Sequence, residues 1–150
     1  RFPLKQRQNV ARVNMHGIEA SLKAPLAKRL DLSIGWTYNR SVIDDFPERP
    51  ELVGNVLTYT PQQKAKVSLH IESVVDGRIT WEGFGTQFRD DLRTTRIPAY
   101  DLLHLDLSKQ LGRFVRLGIT VRNVYNTRYA LNEFTIDPGR LVMASIRYEQ

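Results

Sequence analysis

At 150 residues with 41% hydrophobic content, the chain is long enough for one domain and apolar enough for an ordinary core. It contains no cysteine, which excludes a disulfide framework and thiol chemistry, and it has no apolar run near the about 20 residues a membrane helix needs. The net charge of +6 is scattered, and the densest basic group, Arg89, Arg93 and Arg96, is interrupted by Asp90 and Asp91, which argues against a nucleic-acid surface.

The chain opens at Arg1-Phe2-Pro3, with neither an initiating Met nor a signal peptide, as expected of a segment cut from a longer protein. From Asn9 to Ala24 the apolar residues change phase: Val13 and Met15 share one face, whereas Ile18, Ala20 and Leu22 share the other, which predicts a bulge at Gly17. Leu30, Leu32, Ile34, Trp36 and Tyr38 then alternate with polar or small residues in the cleanest strand of the chain. Its apolar face runs from aliphatic to aromatic, as at a membrane interface where amphipathic rings settle. Ala65, Val67, Leu69 and Ile71 mark a third strand. Arg78 to Arg89 reads as a fourth, with Ile79 and Trp81 on one face and Phe84 and Phe88 on the other. Leu103, Leu105 and Leu107 mark a fifth; Val115, Leu117, Ile119 and Val121 a sixth; Val142, Ala144, Ile146 and Tyr148 a seventh.

The connections alternate strictly between tight and long. Those at Pro25 to Arg29, Asp76-Gly77 and Leu111 to Arg113 are tight, and those at Val42 to Gln63, Asp90 to Pro98 and Thr127 to Pro138 are long and polar. An up-and-down transmembrane barrel sorts its loops this way, with short turns at one rim and long loops at the other. A soluble β-sandwich binding module has no reason to do so, and in it the same apolar faces would be covered by a second sheet. About seven strands cannot close a barrel of the usual even-stranded kind, and open edges in lipid would cost several kcal/mol per unsatisfied backbone group. The fold expected is therefore all-β and antiparallel, a piece of a larger barrel. Leu117 and Ile119 face lipid in this reading, and Arg116 and Arg122 face the interior.

Little in the chain resembles a catalytic constellation, and the chain is not expected to be an enzyme. His16, His70 and His104 are the only histidines, and none stands in a tight metal-ligand spacing such as HExxH, so solvated residues are expected in place of a metal site or cofactor. Asp44-Asp45 and Asp90-Asp91 are sequence neighbours that point different ways, a poor arrangement for paired acid/base work. Gly83-Phe84-Gly85 lacks the strand-to-helix context of a phosphate loop and is better explained as a strand with room for packing.

Six landmarks in order carry a family resemblance: His16 to Leu26 (HGIEASLKAPL), Leu32 to Ser41 (LSIGWTYNRS), Gly54 to Leu69 (GNVLTYTPQQKAKVSL), Ile97 to Ser108 (IPAYDLLHLDLS), Asn123 to Tyr129 (NVYNTRY), and Pro138 to Arg140 followed by the final strand. Together they resemble the C-terminal end of the TonB-dependent outer-membrane receptors. The resemblance implies that residues 1–150 are the last third of a plugged barrel of about 22 strands. It implies an integral protein of the bacterial outer membrane, in contact with lipid and lipopolysaccharide, that takes up a scarce nutrient. That nutrient is most often a ferric siderophore, a small-molecule metal chelate, and sometimes cobalamin, haem or a glycan. Uptake would be energised by the TonB complex acting on a plug domain outside these residues. The long loops would face the medium, where Arg89, Arg93 and Arg96 are candidates to contact an anionic ligand or lipopolysaccharide phosphate, with Tyr129 and Phe134 as an aromatic wall. One departure is Gln150, which stands where the family usually ends in an aromatic residue. Another outer-membrane barrel, a porin or an assembly protein, would share the alternation without the ordered landmarks.

Overall fold

The computed structural model describes residues 12–129, 137 and 139–148. Alternating apolar and polar residues form strands because successive side chains point to opposite faces, so each strand separates its two chemistries. The strands are β1 (Arg12–Ala27), β2 (Leu30–Asp45), β3 (Gln63–Ile71), β4 (Asp76–Phe84), β5 (Gln87–Phe88), β6 (Arg96–Ile97), β7 (Tyr100–Leu111), β8 (Val115–Arg122) and β9 (Leu141–Tyr148). Seven of them make one antiparallel sheet in the order β1-β2-β3-β4-β7-β8-β9, and β5 and β6 form a separate hairpin. The sheet is an up-and-down meander, as the alternation and the sorted loops predict.

Register carries the two chemistries across the whole sheet. Leu22 lies opposite Ile34, Ile34 opposite Val67, Leu69 opposite Ile79, Ile79 opposite Leu105 and Leu105 opposite Val121. Leu117 lies opposite Ile146. These residues make one continuous apolar face, and it is left bare: Ile119 is 51% exposed, Leu107 49% and Ile146 79%. A contiguous bare apolar face that crosses seven strands is not what a soluble monomer leaves to water. It needs an apolar partner outside the chain.

Aromatic rings border the apolar face at both ends. Toward the long loops, Trp36 stacks on Tyr38 with centroids 6.5 Å apart, and Trp81 donates its indole N–H to Asp101 Oδ2 at 3.1 Å. Toward the short turns, Phe114 stacks on Tyr148 at 5.9 Å, and the Arg113 guanidinium lies 5.5 Å from the Phe114 centroid. Along β7, the eight steps from Leu103, opposite Trp81, to Leu111, beside the Phe114 turn, span about 27 Å. With the strand tilt usual in membrane barrels this is a band of roughly 20 Å, close to the apolar height of such a wall. The alternation suggested the girdle at Trp36 and Tyr38; the second one, at Phe114 and Tyr148, becomes visible only when a turn residue and a residue of the last strand are brought together.

Three expectations need correction. The predicted bulge at Gly17 is absent: β1 pairs regularly past Gly17, which lies opposite Asn39, and the irregularities fall at Arg12/Val13 and Pro25/Ala27. The phase change arises because the polar face itself turns apolar near the long-loop rim, where Val13 lies opposite the buried Ile43. Gly17 has a different role, since a Cβ there would collide with the Tyr38 carbonyl oxygen. Second, Arg78 to Arg89 is not one strand. β4 ends at Phe84, the Gly85 N–H donates to the Gln63 carbonyl at 2.8 Å, and Phe88 belongs to the β5–β6 hairpin. Third, Asp76 and Gly77 already belong to β4, so the turn is Glu72 to Val75, with the Ser73 N–H donating to Asp76 Oδ1 at 3.3 Å. The reading of Gly83 as a packing glycine holds: the Trp81 ring lies over it, and a Cβ would come within 2.5 Å of that ring. Gln150 and Phe134 lie outside the described residues.

Candidate ligand-binding site

The polar face carries several separate side-chain pairs. Lys66 Nζ donates to Glu82 Oε1 at 2.8 Å, and the other Glu82 oxygen lies 3.7 Å from His104 Nε2. The Ser68 and Thr80 hydroxyls are 3.1 Å apart, and Thr120 donates to Asp106 Oδ1 at 2.8 Å, with Arg122 3.6 Å from the same oxygen. Arg116 reaches Asp76 at 3.4 Å. These residues sit on four adjacent strands, where Lys66 and Glu82, Ser68 and Thr80, and Asp106 and Thr120 are direct register partners, whereas Arg116 reaches across β7 to Asp76. His70 and Asp31 are directly opposed on β3 and β2, and with Glu72 they present three ligand atoms within 4.8 Å of one another near the short turns.

At the long-loop end three rings stack in series: Phe84 on Tyr100 with centroids 4.9 Å apart, and Tyr100 on Tyr129 at 4.8 Å. Offset stacks of this kind are worth about 0.5–1.5 kcal/mol beyond the area they bury. Burial, followed by the negative charge of Asp137, raises the Tyr129 hydroxyl above the ordinary phenol range. Tyr129 therefore keeps its proton and remains a donor at neutral pH.

The arginines predicted as ligand contacts lie on the hairpin that projects from this rim. Arg89, Arg93 and Arg96 are all exposed, and the Arg93 guanidinium lies 5.7 Å from the Phe88 centroid, within range of a cation–π contact. The turn that carries them is organised by Asp90. Its carboxylate accepts the Thr94 N–H at 2.9 Å, the Thr94 hydroxyl at 3.1 Å and the Thr95 N–H at 2.6 Å, while Arg93 adopts a positive φ of 60°. The neighbouring loop is tied to the hairpin: the Asn55 side chain donates to the Asp91 carbonyl at 2.8 Å, the Tyr59 N–H donates to the Phe88 carbonyl at 2.9 Å, and Arg49 lies 3.8 Å from Asp91. That loop folds over the sheet, and its Leu52 and Val56 are buried, as is Ile43 of β2. The structure thus brings the three arginines together on one hairpin and places Tyr129 apart from them, in the aromatic stack.

The Asp90 carboxyl is held below the ordinary aspartate range, first by the Thr94 N–H, with desolvation opposing and the Thr95 N–H adding to it. Because the shift favours the ionised form, its contribution to hairpin order is fully present above the ordinary aspartate range and is lost as pH falls through the lowered value. Exchange protection of the Thr94 and Thr95 amides in micelles should accordingly stay level on acidification until below that range and then fall. Asp90→Asn should abolish this acid step. An unchanged step in the variant would assign it to another group.

A second structured element, which the sequence marked only as a landmark, is the Asn123 to Thr127 turn. Asn123 is 3% exposed and adopts φ 52°; its amide donates to the Thr127 carbonyl at 2.9 Å and its Oδ1 accepts the Thr127 N–H at 2.9 Å. Asn126, at φ 56°, accepts the Arg140 N–H at 2.9 Å, and Arg140 returns two guanidinium bonds to the Val124 carbonyl, at 3.0 and 2.6 Å. Asparagine tolerates the left-handed region because its short amide bonds locally. The two motifs, NVYNTRY and the glycine–arginine pair before β9, are halves of one clasp across a loop.

Residues 2–124 match the family profile described as TonB dependent receptor-like, beta-barrel. The ferrioxamine receptor of Yersinia enterocolitica is 26% identical over 128 residues, covering 79% of this chain and 18% of that protein. Among solved structures, the siderophore receptor PiuA and the ferric preacinetobactin receptor BauA, both of Acinetobacter baumannii, superpose over 91% of the chain with a TM-score of 0.77, at 16% and 18% identity. The chain spans 22% of each of these structures. The profile match and the meander, with its two chemically distinct faces, lead to one conclusion: the chain belongs to the TonB-dependent receptor family.

Proposed function

We propose that this chain is a stretch of barrel wall from an outer-membrane receptor that imports a ferric siderophore, powered by the TonB complex. The observation that carries the proposal is the bare apolar face bounded by two aromatic girdles, in a chain of this family. Lipid covers that face, and the polar face looks onto the lumen and a plug domain. The short turns lie at the periplasmic rim and the long loops in the medium. Among the described residues β1 and β9 each pair with a single neighbour, so further strands of the same barrel lie against both edges in this reading, since open edges are not tolerated in lipid. No bond chemistry is involved: the receptor works by binding and gating.

In this reading Arg89, Arg93 and Arg96 meet the anionic oxygens of a metal chelate or of lipopolysaccharide phosphate, and Tyr129 offers a ring and a hydroxyl. The siderophore names of the relatives support the substrate class. The experiment is growth under iron limitation with a panel of ferric siderophores, comparing a deletion strain with its parent. A growth defect restricted to one siderophore is expected. Normal growth on every siderophore would turn the substrate assignment toward cobalamin or a glycan, and recovery of the protein in the aqueous fraction without detergent would overturn the barrel reading itself.

A further inference from the structure

Asp31, His70 and Glu72 have no part in gripping a ligand at the long-loop rim, yet they converge at the opposite end of the sheet. Asp31 on β2 and His70 on β3 are direct register partners. Glu72 opens the turn two residues after His70, and its backbone is pinned by an N–H bond to the Arg29 carbonyl at 2.9 Å. One ligand atom from each of the three lies within 4.8 Å of the others. No ion pair or hydrogen bond among the described residues engages these side chains. Arg78 lies opposite His70 and Arg29 lines the same recess, but neither pairs with Asp31 or Glu72. Two carboxylates are thus held together on a face where Glu82, Asp106 and Asp76 have each been given a cationic partner.

We propose that Asp31, His70 and Glu72 bind a borderline divalent metal ion, with Zn²⁺ as the type ion. An imidazole with two carboxylates matches Zn²⁺ in ligand type, whereas Ca²⁺ and Mg²⁺ prefer all-oxygen sites. Two carboxylates and a neutral imidazole carry the charge that a divalent ion cancels. Bonds of about 2.0–2.2 Å require the three atoms to draw closer, which the exposed Asp31 and Glu72 side chains achieve by rotation toward the half-buried His70. Three protein ligands leave a coordination position open for water. The ion cross-links β2 to the end of β3 beside the short turns. That location within a barrel rests on the proposed function, whereas the binding itself does not.

The test uses the full-length receptor purified in detergent, stripped with a chelator and titrated with Zn²⁺ alone, then with Co²⁺ as a coloured substitute. Wild type should bind one equivalent more than His70→Gln, and Asp31→Asn and Glu72→Gln should each weaken that equivalent at least about tenfold. The visible Co²⁺ bands should disappear in His70→Gln and persist in His16→Gln, whose residue lies elsewhere on β1. Heat-modifiable electrophoretic mobility verifies that each variant is folded; should His70→Gln fail to fold, the two isosteric carboxamide variants decide the matter. Equal stoichiometry and affinity in wild type and all three ligand variants would overturn the site and leave a solvated acidic cluster only. Loss of detergent dependence would instead count against the barrel, whatever the titration shows.

Discussion

On the proposed membrane wall, Leu105→Arg is expected to impair assembly severely, with a loss of about 2–4 kcal/mol, the order of cost of an arginine that faces lipid inside the apolar band. Leu105 lies between Ile79 and Val121 on the apolar face, within the band that the two aromatic girdles border, and both of its register partners are aliphatic. Alternation alone predicts the same for Leu117→Arg, but register separates the two. Leu117 lies opposite Lys109, an existing cation on the same face close to the short turns. A long basic side chain there can extend its charge to the interface, so Leu117→Arg should cost only about 0–1 kcal/mol. Thr120→Arg should also be mild, because Thr120 lies on the polar face and bonds Asp106. Folding into lipid vesicles, followed by heat-modifiable mobility and urea titration, measures all three. Equal effects at Leu105 and Thr120 would refute the assignment of faces.

Asn123→Ala is expected to cost about 2–4 kcal/mol. Two hydrogen bonds to Thr127 disappear, each worth about 0.5–1.5 kcal/mol, and a residue with an ordinary Cβ must then hold a left-handed φ at roughly 1 kcal/mol more. Asn123 is buried beside His104, whose Nδ1 accepts its N–H at 3.2 Å, so the loss is felt within the wall as well as in the loop. Asn123→Asp should be milder, since a carboxylate still accepts the Thr127 N–H and tolerates the backbone. Urea titration gives the stability change, and binding of the proposed ferric siderophore by the same variants separates the clasp from the proposed ligand site. A variant of unchanged stability and lost affinity would make Asn123 a ligand contact in place of a clasp.

Some elements were legible because the chemistry that selects them is local. β2, β3, β7, β8 and β9 were marked by strict alternation, since each strand must present one chemistry to each face. The segment from Arg78 to Arg89 was not, because Gly85 and Thr86 interrupt it without breaking the hydrophobic pattern that Phe84 and Phe88 suggest. The bulge expected at Gly17 is absent for a related reason: a change of hydrophobic phase implies a change of register only where each face keeps one environment, and here one face changes environment beneath the loop carrying Leu52. Among the site residues, Arg89, Arg93 and Arg96 were found as a cluster in sequence and are a cluster on the hairpin. Tyr129 is legible as a candidate aromatic wall in a long loop, but its stack on Tyr100, which in turn stacks on Phe84, joins residues from three separate segments.

The sequence by itself determined that this chain builds two-faced strands, that its loops sort to two rims, and to which family its ordered landmarks belong. All three are properties of order and period along the chain. Only the tertiary structure decided which residues stand across from one another: Leu117 beside Lys109, Phe114 beside Tyr148, Asn126 beside Arg140, and Asp31 beside His70. Such partners are brought together by register, which sums the lengths of turns and strands over tens of residues. A residue's neighbours along the chain cannot report a contact that this distant accounting creates.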